Sequence, residues 1–278
     1  MMTDVDGDPE VLQGGVANAG AVVRIGGDVL RPSNPHTASV HRFLRSLAAA
    51  GFDGASVPVG VDADGRERLR YIEGDVPVAP YPAWSQTDEA LASTARLLRR
   101  FHEVARTVEP HPDDTWASDL ADPEAADASA GRLVICHNDV CLENVVFRDG
   151  VAVGLLDFDW AAPGRPAYDV ACFARMCVPV DDEESAAANG FGLHALADRP
   201  GRLRLVTDSC GLDADGREAV LTALDGTIAG GGRWVAAKVA AGEPGFVAMW
   251  EAMGGMARYD RRRTWWSESR PDFATALA

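Results

Sequence analysis

The chain has almost no lysine. Of the 26 basic residues among its 278 positions, Lys238 is the single lysine and all the others are arginines. A Walker A phosphate loop needs a lysine followed by serine or threonine, and Lys238 is followed by Val239, so this kind of nucleotide site is excluded. The 42 acidic residues give a formal net charge of −16. That balance argues against a nucleic-acid partner, which requires a basic surface.

Long apolar runs and abundant cysteine are also missing. No segment approaches the ~20 apolar residues of a membrane span, and the acidic start lacks the pattern of a secretory signal. We therefore expect a soluble, cytoplasmic protein. Five cysteines predict reduced thiols rather than a disulfide framework. The pairs Cys136/Cys141 and Cys172/Cys177 also admit a zinc interpretation, but their spacing and apolar neighbours favour buried thiols.

The hydrophobic pattern changes along the chain and predicts two lobes. Short β-patterns around glycine-containing turns, at 21–31 and 57–72, flank one helical pattern at 37–50. From residue 85 the pattern is mainly helical, with an inserted β-hairpin around Asp149-Gly150. We predict an α+β protein with a small β-rich N-terminal lobe (1–74) and a larger, mainly helical C-terminal lobe (75–278).

One segment has the residues of a phosphotransfer site. The run 137-HNDVCLEN-144 matches the His-x-Asp-x4-Asn pattern of a catalytic loop, and Asp157 follows across the predicted hairpin. The carboxylate of Asp139 can orient an attacking hydroxyl and accept its proton. Asn144 and Asp157 offer the hard oxygen ligands that Mg²⁺ prefers, and the hairpin places both at one end. The alternative is that Asp139 and Asn144 cap a turn and Asp157 ends a strand.

The acceptor of such a site is predicted to be a small molecule rather than a protein. A protein kinase would have arginine at position 138, Asp-Phe-Gly at 157–159 and a long activation segment. Here position 138 is asparagine and 157–159 is Asp-Phe-Asp. Asp169 follows only 12 residues after Asp157, which leaves no room for a protein-docking segment.

Residues 137–171, HNDVCLENVVF…LLDFDWAAPGRPAYDVA, resemble the aminoglycoside phosphotransferase family, which is related to choline kinases and has a protein-kinase-like fold. The resemblance implies that Asp139 is the catalytic base and that Asn144 and Asp157 bind metal. It also implies supporting roles for two residues: His137, which would brace the catalytic loop, and Asp169, which would support the loop and the helix that follow and is expected to be structural. Independently of the resemblance, we expect Asp159 to support the site by assisting metal or acceptor binding.

The same resemblance implies transfer of the γ-phosphoryl group of ATP or GTP, with Mg²⁺, to a hydroxyl of a small molecule. An antibiotic of the aminoglycoside type is the first choice of acceptor, and a metabolite such as an amino alcohol or a sugar is the second. Gly14 and Gly15 are predicted to cover the phosphates, and the alternative is that they form an ordinary hairpin turn. The segment between the lobes, which contains Ile72 and Glu73, is predicted to present backbone groups to the purine.

The sequence departs from kinase-like folds at the phosphate clamp. These folds hold the α- and β-phosphates with a strand lysine that is paired with a helix glutamate. Here no lysine precedes residue 238, and the predicted helix 37–50 contains no acidic residue. We predict that Arg31 replaces the lysine, with phosphate itself as its partner, and that Arg24 is the second choice. His41 lies where the helix glutamate is expected.

Two interpretations of this departure stay open in the sequence. Either Arg31 binds phosphate and the enzyme is active, or nucleotide binding is lost and the chain is a non-catalytic, pseudokinase-type binding module. The acceptor is open too. The acidic run 181–184 suits a cationic aminosugar or a helix N-terminus, and the arginines 261–263 suit a solvated face or an anionic substrate. Nothing in the sequence indicates the oligomeric state.

Overall fold

A computed structural model describes residues 8–12, 21–127 and 133–278. Among them, the N-terminal part forms one antiparallel sheet in the order β1-β2-β3-β5-β4. Its strands are β1 (Glu10–Val11), β2 (Val23–Ile25), β3 (Asp28–Pro32), β4 (Pro58–Val61) and β5 (Arg66–Arg70). Helix α1 (Thr37–Ala49) lies between β3 and β4 in the chain. Its apolar residues recur every three or four positions, so Val40, Phe43, Leu44 and Leu47 are all buried.

The C-terminal part is mainly helical. Its helices are α2 (Asp88–Ala105), α3 (Pro166–Cys177), α4 (Glu183–Ala188), α5 (Leu193–Leu196), α6 (Arg199–Ser209), α7 (Ala214–Ala240), α8 (Pro244–Ala252) and α9 (Met256–Leu277). Between α2 and α3 lie the short strands β6 (Val134–Cys136), β7 (Val145–Arg148), β8 (Val151–Leu155) and β9 (Ala162–Gly164). Strands β7 and β8 form the predicted hairpin, and β6 pairs with β9. The predicted α+β, two-lobed architecture is confirmed.

A large buried core is centred on α2, and a smaller cluster of Val235, Phe246 and Tyr259 joins α7, α8 and α9. The large core runs from Leu47 of α1 through Leu98 and Phe101 of α2 to Phe173 of α3 and Leu224 of α7. All five cysteines are free; four of them are buried and Cys141 is half-buried. Within the described residues, no helix has both the length and the apolar character needed to cross a membrane.

The connection between the lobes is tied to the hairpin. Asp75 and Phe147 exchange two backbone hydrogen bonds, each of 2.8 Å. Gly74 precedes this contact with a φ of +147°, and a Cβ at this position would lie 2.4 Å from the carbonyl oxygen of Phe147. Only glycine accommodates both the backbone angle and this close approach. The lobe boundary proposed at residue 74 therefore coincides with a backbone position that is sterically restricted.

We expect Gly74→Ala to lower the free energy of unfolding by about 1–3 kcal/mol, because strain in φ adds to a clash with backbone. Gly65→Ala is the matched control, since Gly65 also has a positive φ but has nothing within 4 Å of its Cβ position. Urea titrations of the two variants compare the effects. A smaller loss at Gly74 than at Gly65 would contradict the steric argument.

Candidate active site

The loop after β6 is held by one buried carboxylate. Asp169, near the start of α3, accepts hydrogen bonds from the backbone N–H groups of His137 (2.9 Å) and Asn138 (2.7 Å). It also accepts one from Nε2 of His102 on α2, at 2.8 Å. Asn138 has a φ of +65°, and its side chain donates to the carbonyl of Trp160. These bonds fix the backbone immediately before Asp139.

His137 connects this loop to the second acidic segment. Its ring is fully buried, and Nε2 donates to the carbonyl oxygen of Leu156 at 2.8 Å. Its Nδ1 accepts the backbone N–H of Asp139 at 3.3 Å. Burial lowers the pKa of His137, which is consistent with a neutral ring that donates on one side and accepts on the other. His137 thus lies between the catalytic loop and Leu156, and its predicted supporting role stays a prediction.

Asp139 and Asn144 are in direct contact. The amide Nδ2 of Asn144 donates to the backbone carbonyl of Asp139 at 2.9 Å and to its carboxylate at 3.1 Å. Because the amide nitrogen is used in this way, the amide oxygen is the end of Asn144 that can bind a cation. Burial and the nearby charge of Asp157 raise the pKa of Asp139 to about 7, which makes it a stronger base than an ordinary aspartate.

Asp157 reaches the same place from the other strand of the hairpin. The backbone N–H of Leu156 donates to the carbonyl of Asn144 at 2.8 Å, so the start of β7 and the end of β8 are adjacent. Asp157 itself has a φ of +60°. Asn144 and Asp157 both line a cavity of about 340 Å³ between the lobes. Its walls also include apolar side chains from both lobes: Val29, Leu69, Val76, Val146 and Leu155.

Arg31 of β3 enters this cavity from the sheet. Its Nη1 donates to Asp157 at 2.8 Å and its Nη2 donates to Asp159 at 2.5 Å. Although burial alone lowers the pKa of Arg31, the charges of Asp157, Asp159 and Glu67 raise it overall, so the guanidinium stays charged. Arg31 therefore lies in the cleft, and its predicted role as the phosphate clamp stays a prediction.

The sequence predicts phosphate as the partner of Arg31 and offers no glutamate for it, because α1 contains none. Glu67 of β5 supplies one: its Oε1 lies 2.6 Å from Nε of Arg31 in an ion pair that is almost fully buried. Its other oxygen, Oε2, bonds Nε2 of His41 on α1 at 2.7 Å. The glutamate lies on the neighbouring strand β5 rather than on α1. Glu67 and Leu69 are two positions apart on β5 and both line the cavity, so this period-two spacing is the sequence signal that places Glu67 on the cavity side.

The other residues predicted to contact the nucleotide lie in different places. Ile72 lines the cavity. Glu73 is outside the set of lining residues, because its carboxylate pairs with Arg24 and its carbonyl accepts a bond from Arg148. Arg24, the second choice for the clamp, is therefore engaged at the rim. Gly14 and Gly15 lie outside the described residues, so their role stays a prediction.

The charged runs 181–184 and 261–263, which the sequence leaves open for acceptor binding, are largely engaged in contacts within the protein. Asp181 is buried and ion-paired with Arg258 and Arg262 of α9. Asp182 caps α4 by accepting the N–H of Ser185, which is the helix N-terminus interpretation of the acidic run. Arg262 is accordingly a buried partner of Asp181 rather than part of a solvated basic face. Lys238 binds Asp119 (2.9 Å) and Glu243 (3.1 Å).

Comparisons with known proteins agree with this geometry. Residues 109–205 match the model of the phosphotransferase enzyme family (APH). The chain is 34% identical over 193 residues to the trifolitoxin immunity protein of Rhizobium leguminosarum bv. trifolii, an alignment that covers 69% of this chain and 70% of that protein.

Solved structures show the same fold. A choline/ethanolamine kinase family protein from Mesorhizobium loti superposes with a TM-score of 0.65 at 17% identity, over 99% of this chain and 93% of that one. The GDP complex of aminoglycoside 2'-phosphotransferase-IIIa superposes with a TM-score of 0.58 at 14% identity, over 92% of each chain. With the site geometry and the 34% identical relative, these findings establish that the chain belongs to the phosphotransferase enzyme family, as a small-molecule kinase with a protein-kinase-like fold.

Proposed function

We propose that the chain transfers the γ-phosphoryl group of ATP or GTP to a hydroxyl group of a small molecule. The observation that carries this proposal is the convergence of Arg31, Asn144 and Asp157 on one cavity, with Asp139 bonded directly to Asn144. The cavity volume of about 340 Å³ is in the range of small-molecule sites. Its apolar walls suit the flat faces of a purine, and its polar end suits phosphates.

Asn144 and Asp157 fit a magnesium ion. One guanidinium, that of Arg31, faces three carboxylates, those of Glu67, Asp157 and Asp159, so the polar end of the cavity has an excess of negative charge. The amide oxygen of Asn144 and the carboxylate of Asp157 are ligands of the type that Mg²⁺ prefers. Bound there, Mg²⁺ would neutralise charge on the phosphate oxygens of the nucleotide.

Asp139 is proposed as the base. Asn144 donates to its carboxylate and the loop backbone is fixed by Asp169, so the carboxylate is held in one position. In that position it orients the acceptor hydroxyl and takes its proton as the phosphoryl group is transferred. Phosphoryl transfer needs little other covalent chemistry from the protein, so positioning of these groups supplies most of the catalysis.

The acceptor class is proposed from the curated relative. Because that relative is a trifolitoxin immunity protein, we propose that this chain confers resistance in the cytoplasm by phosphorylating a hydroxylated antibacterial compound. A metabolite such as an amino alcohol is the second choice, based on the kinase of Mesorhizobium loti. The acidic run at 181–184 adds no support for a polycationic acceptor, since Asp181 and Asp182 are engaged with arginines and a helix terminus.

The test is Mg²⁺-dependent consumption of ATP and GTP with a panel of hydroxylated acceptors: aminoglycosides, hydroxylated peptide antibiotics, choline and ethanolamine. We expect turnover with one acceptor class, its loss on chelation of Mg²⁺, and its loss in Asp139→Asn. Growth of a sensitive bacterium that expresses the chain then separates resistance from metabolism. No turnover and no nucleotide binding at millimolar concentration would overturn the proposal in favour of a non-catalytic binding module.

A further inference from the structure

Arg31 is held by a buried pair of side chains, Glu67 and His41, that the proposed function does not yet use. We infer that Glu67 and His41 are positioning residues for nucleotide phosphate. In this inference Glu67 on β5 does for Arg31 what a helix glutamate does for the usual strand lysine, and His41 links α1 to the pair. The inference rests on the proposed function, since it concerns the binding of the phosphoryl donor.

The sheet register brings Arg31 and Glu67 together. Strands β3 and β5 are antiparallel neighbours in which Arg31 and Glu67 are directly opposite. Side chains at directly opposed positions extend from the same face of a sheet, here toward the cavity that both residues line. No loop has to order for the pair to form, because both residues are in regular strands.

Glu67 is 1% exposed, and each of its carboxylate oxygens has a different partner. Oε1 lies 2.6 Å from Nε of Arg31, and Oε2 lies 2.7 Å from Nε2 of His41. His41 is 4% exposed and belongs to α1. A buried carboxylate is costly unless it is paired, so Glu67 constrains both partners to their present positions.

The pairing of Arg31 Nε with Glu67 fixes the orientation of the guanidinium. With Nε on Glu67, the two terminal nitrogens Nη1 and Nη2 are directed to Asp157 and Asp159. The same planar fork matches two oxygens of a phosphate. A lysine ammonium carries its three donors on one nitrogen and binds phosphate as a point charge, whereas the arginine fork offers Nη1 and Nη2 side by side while Nε is paired with Glu67. The arginine at 31, the glutamate on β5 and the histidine on α1 therefore form one consistent set.

The decisive experiment measures nucleotide KM, acceptor KM, kcat and direct nucleotide binding for Glu67→Gln. We expect the nucleotide KM to rise roughly tenfold or more, because the loss of the charge on Glu67 removes the buried ion pair that orients Arg31, with acceptor KM nearly unchanged. In an Arg31→Ala background, Glu67→Gln should add less than about twofold, because its effect acts through Arg31. Glu103→Gln is the matched control, since Glu103 is a half-exposed glutamate that also pairs with an arginine.

Two variants on the helix side keep the test decisive if Glu67→Gln folds poorly. His41→Gln retains a nitrogen donor for Oε2 and should keep nucleotide KM near that of the wild type. His41→Leu removes the donor and should raise nucleotide KM toward the value of Glu67→Gln. If Glu67 and His41 had only a structural role, His41→Leu and His41→Gln would both lower the melting temperature and neither would change nucleotide KM. That result would overturn the inference.

Failure of this inference differs from failure of the proposed function. If no acceptor is phosphorylated, the proposed function fails, while equilibrium binding of ATP or GTP to the wild type and to Glu67→Gln still tests the positioning role of Glu67 and His41. If an acceptor is phosphorylated and Glu67→Gln binds nucleotide as well as the wild type, only that positioning role is wrong.

Discussion

Asp139→Asn is expected to lower kcat by about 10²–10⁴-fold, the usual contribution of a positioned general base. The amide cannot accept the proton of the acceptor hydroxyl, but it has nearly the same shape. Nucleotide KM should stay roughly unchanged, because the oxygen of the new amide can still accept the hydrogen bond from Asn144. Initial rates with saturating nucleotide and acceptor, together with nucleotide titrations, separate the two effects.

The control for this prediction is Asp113→Asn, whose side chain is 87% exposed, and which should retain wild-type kinetics. Both variants should melt near the temperature of the wild type. If Asp139→Asn kept more than about a tenth of the wild-type kcat, Asp139 would not be the base, because the loss would fall short of the range for a general base.

Asp169→Asn is expected to destabilise the protein by about 3–5 kcal/mol, because it removes the buried charge that holds two backbone N–H groups and His102. The new amide can accept from one of these donors but places its own N–H group against another. Urea or thermal unfolding measures the loss. A change below about 1 kcal/mol would show that the loop is held by other contacts.

The difference in unfolding free energy between wild type and Asp169→Asn depends on pH in a direction that the pKa of Asp169 determines. Although burial raises the pKa of Asp169, the hydrogen bond from His102, the electrostatic effect of the two nearby imidazole rings and the hydrogen bond from the backbone N–H of His137 together hold it below its ordinary value of 3.8. The stabilising contribution is thus fully present above that ordinary pKa and is lost as pH falls through the lower folded-state value. The gap between wild type and Asp169→Asn should be constant from about pH 5 to pH 8 and narrow only in acid.

Much of the candidate site is local in the chain and therefore predictable from it. Asp139, Asn144 and Asp157 lie within one loop and one hairpin, whose turn is given by Asp149-Gly150. A short hairpin leaves its two ends few alternative arrangements, so the residues at those ends come together whatever the rest of the molecule does. The helix at 37–50 and the mainly helical character after residue 85 were predictable for the same reason, because apolar periodicity is a local property.

The partner of Arg31 was not predictable in the same way. Glu67 is separated from Arg31 in the chain by α1 and β4, and their contact depends on the order and register of a sheet whose neighbouring strands are not consecutive. The ion pairs of the acidic run 181–184 were not predictable either. Asp181 meets Arg258 and Arg262 only because α9 packs near the start of α4.

The sequence by itself determined the fold class, the catalytic-loop motif and the fact that no lysine could hold phosphate in the N-terminal lobe. Only the tertiary structure decided how Arg31, the arginine proposed to take its place, is held: by a glutamate from the adjacent strand, which is in turn bonded to a histidine of α1. The reason is physical. Patterns and short motifs report interactions between residues close in the chain, whereas buried charges are neutralised by whichever partner the packing brings within reach.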